Sequence, residues 1–133
     1  IRHIGFEAEQ VTEASRALIL NATKVSDKIN TWKEVELTPR SRMDFFTDAA
    51  KIRFDNPDEG IVRDVSTVRR EGDRGTDLWR TFNVAQENLI RGGFLNGSTR
   101  RQVRPITSIQ KDVKFNYELW DLASKYSEAV SLN

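Results

Sequence analysis

A chain of 133 residues can bury one proper core and is too short for two domains of ordinary size. Its 38% apolar and 31% charged residues exclude a disordered tail, and a net charge of +1 leaves any polyanion-binding case to local clusters of cations. The absence of cysteine removes disulfides, thiol nucleophiles and cysteine metal sites, and no apolar run approaches the roughly 18 residues of a membrane span, so the expected setting is cytoplasmic, without membrane contact.

Ile1 to Phe6 reads as an incoming tail or strand remnant with the only histidine, His3, and no signal peptide opens the chain. An opening Ile in place of Met suits a processed chain or a fragment of something longer. Val11, Ala14, Leu18, Ala22, Val25, Ile29 and Trp32 keep a three-four spacing, which predicts a long amphipathic helix over residues 8 to 35, able to extend beyond a bundle. Glu13, Arg16, Lys24 and Lys28 occupy its other face, so the stripe must be covered by this domain or by a second chain; Leu20 alone faces outwards. Thr38-Pro39, a capping hydroxyl followed by proline at the first helical position, predicts a second helix over residues 39 to 53 with Met43, Phe46, Ala49 and Ala50 inside. Asn56-Pro57 and Gly60 end it. Ile61 to Val68 has the β-branched content of a short strand but no evident partner, so an irregular connection with room for a brief extended piece is expected between helices two and three.

The third helix, residues 76 to 91, carries Leu78, Phe82, Ala85 and Leu89 on one line, with Thr76 as cap, Asp77 in the first turn and Arg91-Gly92-Gly93 as its stop. Gln86 falls inside that apolar arc, where an amide buried without partners costs about 1 to 3 kcal/mol. Phe94 to Pro105 has turn chemistry at Asn96-Gly97, suited to a small hairpin, followed by three arginines. A last helix over residues 107 to 131 puts Ile109, Val113, Trp120, Ala123 and Val130 on a broad inner face, and Asn116 falls in its middle. The economical expectation is that Asn116 and Gln86 hydrogen-bond where these two helices pack. The expected fold class is all-α, a four-helix single domain over residues 1 to 133.

Catalytic chemistry finds little to stand on. A lone His3 with no serine elbow offers no triad, and Asp55, Asp58 and Glu59 crowd a turn without the alternating ligands of a calcium loop. Asn21-Ala22-Thr23 and Asn96-Gly97-Ser98 match the glycosylation triplet by chance. No enzyme, cofactor or metal is expected. The feature that stands out is Arg91, Arg100, Arg101, Arg104, Lys111 and Lys114, offset nearby only by Asp112. These cations lie on and beside a connection between antiparallel neighbours, so they can converge on one end of the bundle and hold phosphates, with Phe94 as an exposed aromatic to stack a base. The plainer alternative is an exposed loop whose arginines pair with Glu87, Asp112 or another chain. A second set, Arg63, Arg69, Arg70 and Arg74, is diluted by Asp64, Glu71 and Asp73 and reads as ordinary surface.

Asp77-Leu78-Trp79, Gln86-Glu87-Asn88-Leu89-Ile90-Arg91-Gly92-Gly93, Ile106 to Asp112, Asn116 and Leu119-Trp120 together closely resemble the C-terminal half of domain-of-unknown-function family 932. These are the phage/plasmid-like proteins of prophages and conjugative plasmids. The resemblance runs from Arg2-His3 to Tyr126 and implies a further N-terminal half, richer in strands, in full members. It implies no catalytic residues, and its mobile-element setting implies a role in handling phage or plasmid DNA or in meeting host defences. Two functional expectations follow: a non-enzymatic module that binds nucleic acid, foremost single-stranded DNA, or a protein-interaction or oligomerisation domain that uses the stripe of residues 11 to 32.

Overall fold

The computed structural model of the chain describes residues 25–132, with side chains through residue 130. The tail with His3, the expected first helix up to residue 24 with Leu20, and the Asn21-Ala22-Thr23 triplet lie outside the described residues. By its internal contacts the chain divides between Thr31 and Trp32. In the first unit, residues 25–31 are helical, with Val25 exposed and Ile29 half-buried.

The described helix α1, residues 25–34, is followed by α2 (Pro39–Arg53), α3 (Glu59–Val65), a 3-10 helix (Glu71–Asp73), α4 (Leu78–Arg91), a hairpin of β1 (Leu95–Asn96) and β2 (Arg101–Gln102), and α5 (Ile109–Leu132). The protein is mostly helical, as expected. The connection between α2 and α4 is not irregular or stranded, however, because it holds α3, and the two strands lie instead after α4. Asp58 caps α3 by accepting from the Ile61 amide at 2.8 Å, and Ile61, Val62 and Val65 are buried. Burial of that helical face outweighs the strand preference of its β-branched residues.

Thr38 caps α2 through the Ser41 amide at 3.0 Å, and Phe45, Phe46, Ala49 and Ala50 form its inward set. Met43, expected inside, is 45% exposed, because two adjacent phenylalanines take the core and turn that side of the helix outwards. The cap of α4 is Asp77, which accepts from the Arg80 amide at 3.0 Å, while the Thr76 hydroxyl donates to Glu36 at 2.6 Å. Backbone bonds from Leu37 to Thr76 and from Leu78 to Val35, at 3.0 and 2.8 Å, fix this one-residue shift from the expected start.

α4 is the hub, packed against α2, α3, the 3-10 helix and α5. Leu78, Phe82, Ala85 and Leu89 are buried, and so are Thr81, Val84 and Asn88 on the rest of its girth. Trp79 stacks on Phe82 at 5.7 Å, Phe82 meets Trp120 edge-on at 5.8 Å, and Trp32 packs on Trp120 at 4.4 Å. α5 is rotated from its expected phase. It buries Phe115, Leu119, Ala123 and Ser127, while Ile109, Val113 and Val130 are exposed, since the aromatic and leucine line can meet α2 and α4 together. Tyr126 on that line donates to Asp48 at 2.7 Å, and burial together with this bond pushes its pKa well above the usual tyrosine value.

Gln86 Nε2 donates to Asn116 Oδ1 at 2.6 Å, and Asn116 in turn donates to the carbonyl and carboxylate of Asp112 at 2.9 and 2.7 Å. Both amides are half-buried, at the rim of the α4–α5 seam. The fully buried amide is Asn88, which donates to the carbonyls of Val65 and Thr67, both at 2.8 Å, and accepts from Arg69 Nε at 2.6 Å. Its two donors and its acceptor are thus all used, which joins the end of α3 to the last turn of the hub.

Candidate nucleic-acid interface

The site is built where α4 ends. Gly92 has φ +63°, and a Cβ there would lie 2.7 Å from the Val103 carbonyl oxygen and 2.9 Å from that of Arg104. Only glycine permits so close an approach at that φ. The chain then turns back on itself: Gly93 donates to Val103 at 2.8 Å, Val103 to Phe94 at 2.7 Å, and Leu95 and Asn96 pair with Gln102 and Arg101. Asn96 shapes the tip by accepting from the Ser98 amide at 3.0 Å, and Arg100 closes it at φ +58°. The Ile106 amide donates to Ile90 at 2.8 Å, so residues 104–108 run beside the last turn of α4 before α5 begins.

Arg53, in the last turn of α2, completes this end. Its Nη1 donates to the Leu89 carbonyl and its Nη2 to the Arg104 carbonyl, with the guanidinium 5.6 Å from the Phe54 ring. The Leu89 oxygen belongs to the last turn of α4, whose carbonyls have no helical donors and favour a cation. Burial lowers the Arg53 pKa from its usual value, yet a guanidinium keeps its charge.

Two open grooves adjoin here, of about 500 and 650 Å³. The first is lined by Ile52, Arg53, Arg104 to Ser108, Lys111, Lys114, Phe115 and Glu118, and the second by Arg91, Gly93 and Arg101 to Pro105. They share Arg104 and Pro105, and together they hold six basic side chains against one carboxylate, Glu118. Lys114 lies 4.0 Å from Glu118, an exposed i,i+4 pair of small worth. Arg91, Arg101, Arg104 and Lys111 form no ion pair among the described residues and are exposed. Such a row of unpaired cations creates a positive field along the grooves.

Five of the residues singled out from sequence thus border the grooves: Arg91, Arg101, Arg104, Lys111 and Lys114. Arg100 is exposed at the hairpin tip and lines neither. Phe94 is a correction. It is 6% exposed and packs edge-on against Phe54 at 6.3 Å, so it cannot stack a base. Arg53 was missed, because a basic residue in the last turn of a helix ordinarily needs no further explanation. In the second basic set, Arg69 serves Asn88, Arg70 pairs with Glu87 at 3.0 Å and Arg74 with Glu71 at 2.9 Å. Among the described residues no group of three His, Cys, Asp or Glu side chains could hold a metal ion, and no helix is long and apolar enough to cross a membrane.

A family model described as Domain of unknown function (DUF932) matches residues 1–120. The chain belongs to that family. The matched span of this DUF932 chain takes in α4, the hairpin and the start of α5, and so every residue of both grooves. Among curated proteins it is similar to UPF0380 protein YafZ and UPF0380 protein YfjQ of Escherichia coli (strain K12), each 28% identical over 127 residues, or 92% of this chain and 46% of the relative. The DUF932 chain therefore spans about half the length of these relatives. No solved structure matches it.

Proposed function

We propose that this chain is a non-enzymatic nucleic-acid-binding module that holds single-stranded DNA by its phosphates, within a protein of a phage or plasmid element. The observation that carries this reading is the pair of grooves joined at Arg104, with six cations and one carboxylate. Guanidinium forks match phosphate oxygens, and a track that continues from one groove into the next suits a chain of phosphates better than a single small anion. The cations sit on a hairpin exit and on helix ends. Only Lys111 and Lys114 share a helix face, and two cations make no recognition helix of the kind that enters a duplex major groove, which favours a single strand. The likeness of the Gln86 to Gly93 run to phage/plasmid-like proteins supports the mobile-element setting.

The test is fluorescence anisotropy with a labelled oligo-dT across a salt series. Wild type binds with an affinity that falls steeply as salt rises. The double variant Arg101→Glu with Arg104→Glu binds at least about tenfold more weakly, with a salt slope shallower by about 0.7 for each phosphate no longer neutralised. Equal binding by wild type and double variant overturns the reading.

A further inference from the structure

Ile109, Val113 and Tyr117 follow one another at four-residue intervals on one face of α5 and are 75%, 47% and 69% exposed. Single exposed apolar side chains need no cause, but three in line over two turns make a ledge, and a ledge of this kind marks a contact surface. Its neighbours indicate what it contacts. Lys114 precedes Tyr117 by three residues, a spacing at which side chains touch on a helix surface. Lys114 and Lys111 also line the basic groove that contains Arg104. The first two turns of α5 therefore present cations along one side and apolar faces along the other. A single strand has the same two-sided character, with phosphates on one edge and unpaired bases on the other.

We propose that Tyr117 stacks an unpaired base and that Val113 and Ile109 seat its neighbours, while the intervening phosphates lie along Lys114, Lys111 and Arg104. This rests on the nucleic-acid reading above and adds to it the surface that selects single strands. The spacing supports the selection. Four helical residues rise about 6 Å, against about 3.4 Å between stacked bases along one strand of a duplex, so seats at this interval fit bases that are splayed apart and reject paired ones. Tyr117 also fills the part that Phe94, buried against Phe54, cannot.

The experiment compares Tyr117→Ala, Tyr117→Phe and Met43→Ala with wild type. Binding to oligo-dT and to a duplex of equal length is measured by anisotropy at several salt concentrations, with thermal melts and light scattering on each protein. Tyr117 is exposed, so all four proteins should melt alike. Tyr117→Ala is expected to bind oligo-dT at least about fivefold more weakly, the lower end of what losing one stacked base costs, with the salt slope unchanged. Tyr117→Phe should bind as wild type, and so should Met43→Ala, which removes an exposed apolar side chain from α2. Duplex binding should be the same for all four. If Tyr117→Ala binds oligo-dT as wild type does while the Arg101/Arg104 variant loses binding, the ledge is overturned and the groove reading survives. If Tyr117→Ala instead dissociates a wild-type oligomer, the ledge is a surface between copies of the chain and the proposal is equally overturned. If wild type binds no oligo-dT at any salt, the groove reading fails first and the ledge proposal with it.

Discussion

Arg69, Arg70 and Arg74 share one short connection before α4, and Arg91, Arg101 and Arg104 share the end of α4 and the connection after it. Each member of the first group has a partner in the fold: the buried Asn88, Glu87 of α4 and Glu71. The side chains of the second group form no ion pair among the described residues, and all three border the grooves. The difference is one of position relative to the hub. The first connection lies along the flank of α4, which offers it the Glu87 carboxylate and the buried Asn88 amide, whereas the second leaves α4 at its end and its arginine side chains form no such pair among the described residues. Arginine density is similar in the two stretches, so density alone does not separate guanidinium groups that hold the protein together from those available to a ligand.

The largest effect is expected where the first group reaches the core. Asn88→Ala removes the donors to the Val65 and Thr67 carbonyls and strips Arg69 of its acceptor. A loss of about 3 kcal/mol in urea denaturation is expected. A loss below about 1 kcal/mol would mean that Asn88 does not anchor that flank, and the comparison would collapse on its structural side. The half-buried pair Gln86 and Asn116 should show a smaller effect. In a double-mutant cycle with Gln86→Leu and Asn116→Leu, a coupling of about 1 kcal/mol is expected, and strictly additive losses would remove the hydrogen bond from the account. The smallest differences sharpen the contrast itself. Arg69→Ala should cost about 1 kcal/mol, whereas Arg101→Ala and Arg104→Ala should each stay within about 0.5 kcal/mol of wild type in the same urea titration.

Much of the framework could be read from local signals. Thr38-Pro39 fixes the start of α2, and the Leu78, Phe82, Ala85, Leu89 line fixes the buried side of α4, because a cap and a helical period are properties of a few adjacent residues. Gln86 and Asn116 could be paired since each interrupts an apolar stripe on helices that pack together. Asn88 could not. A strand without a partner over Ile61 to Val68 would leave the flank of α4 that α3 covers open to solvent, and a second buried amide has no reason to be sought there. Phe94 failed for a similar reason: it sits in a polar stretch after a helix stop, and its partner Phe54 is 40 residues earlier in the sequence. The basic cluster was visible as composition, but Arg53 was not, because it acts through backbone oxygens that only the folded chain brings within reach.

Through its two donors, Arg53 fastens the tail of α2 to the last turn of α4 and to the chain at Arg104, two segments that backbone hydrogen bonds already join to each other. The backbone positions from which Arg91 and Arg104 project are in this way set at folding. A flexible arginine-rich tail would have to order its backbone on every encounter with a phosphate chain, whereas here, on the proposed reading, the backbone is ordered beforehand and only side-chain freedom would be lost.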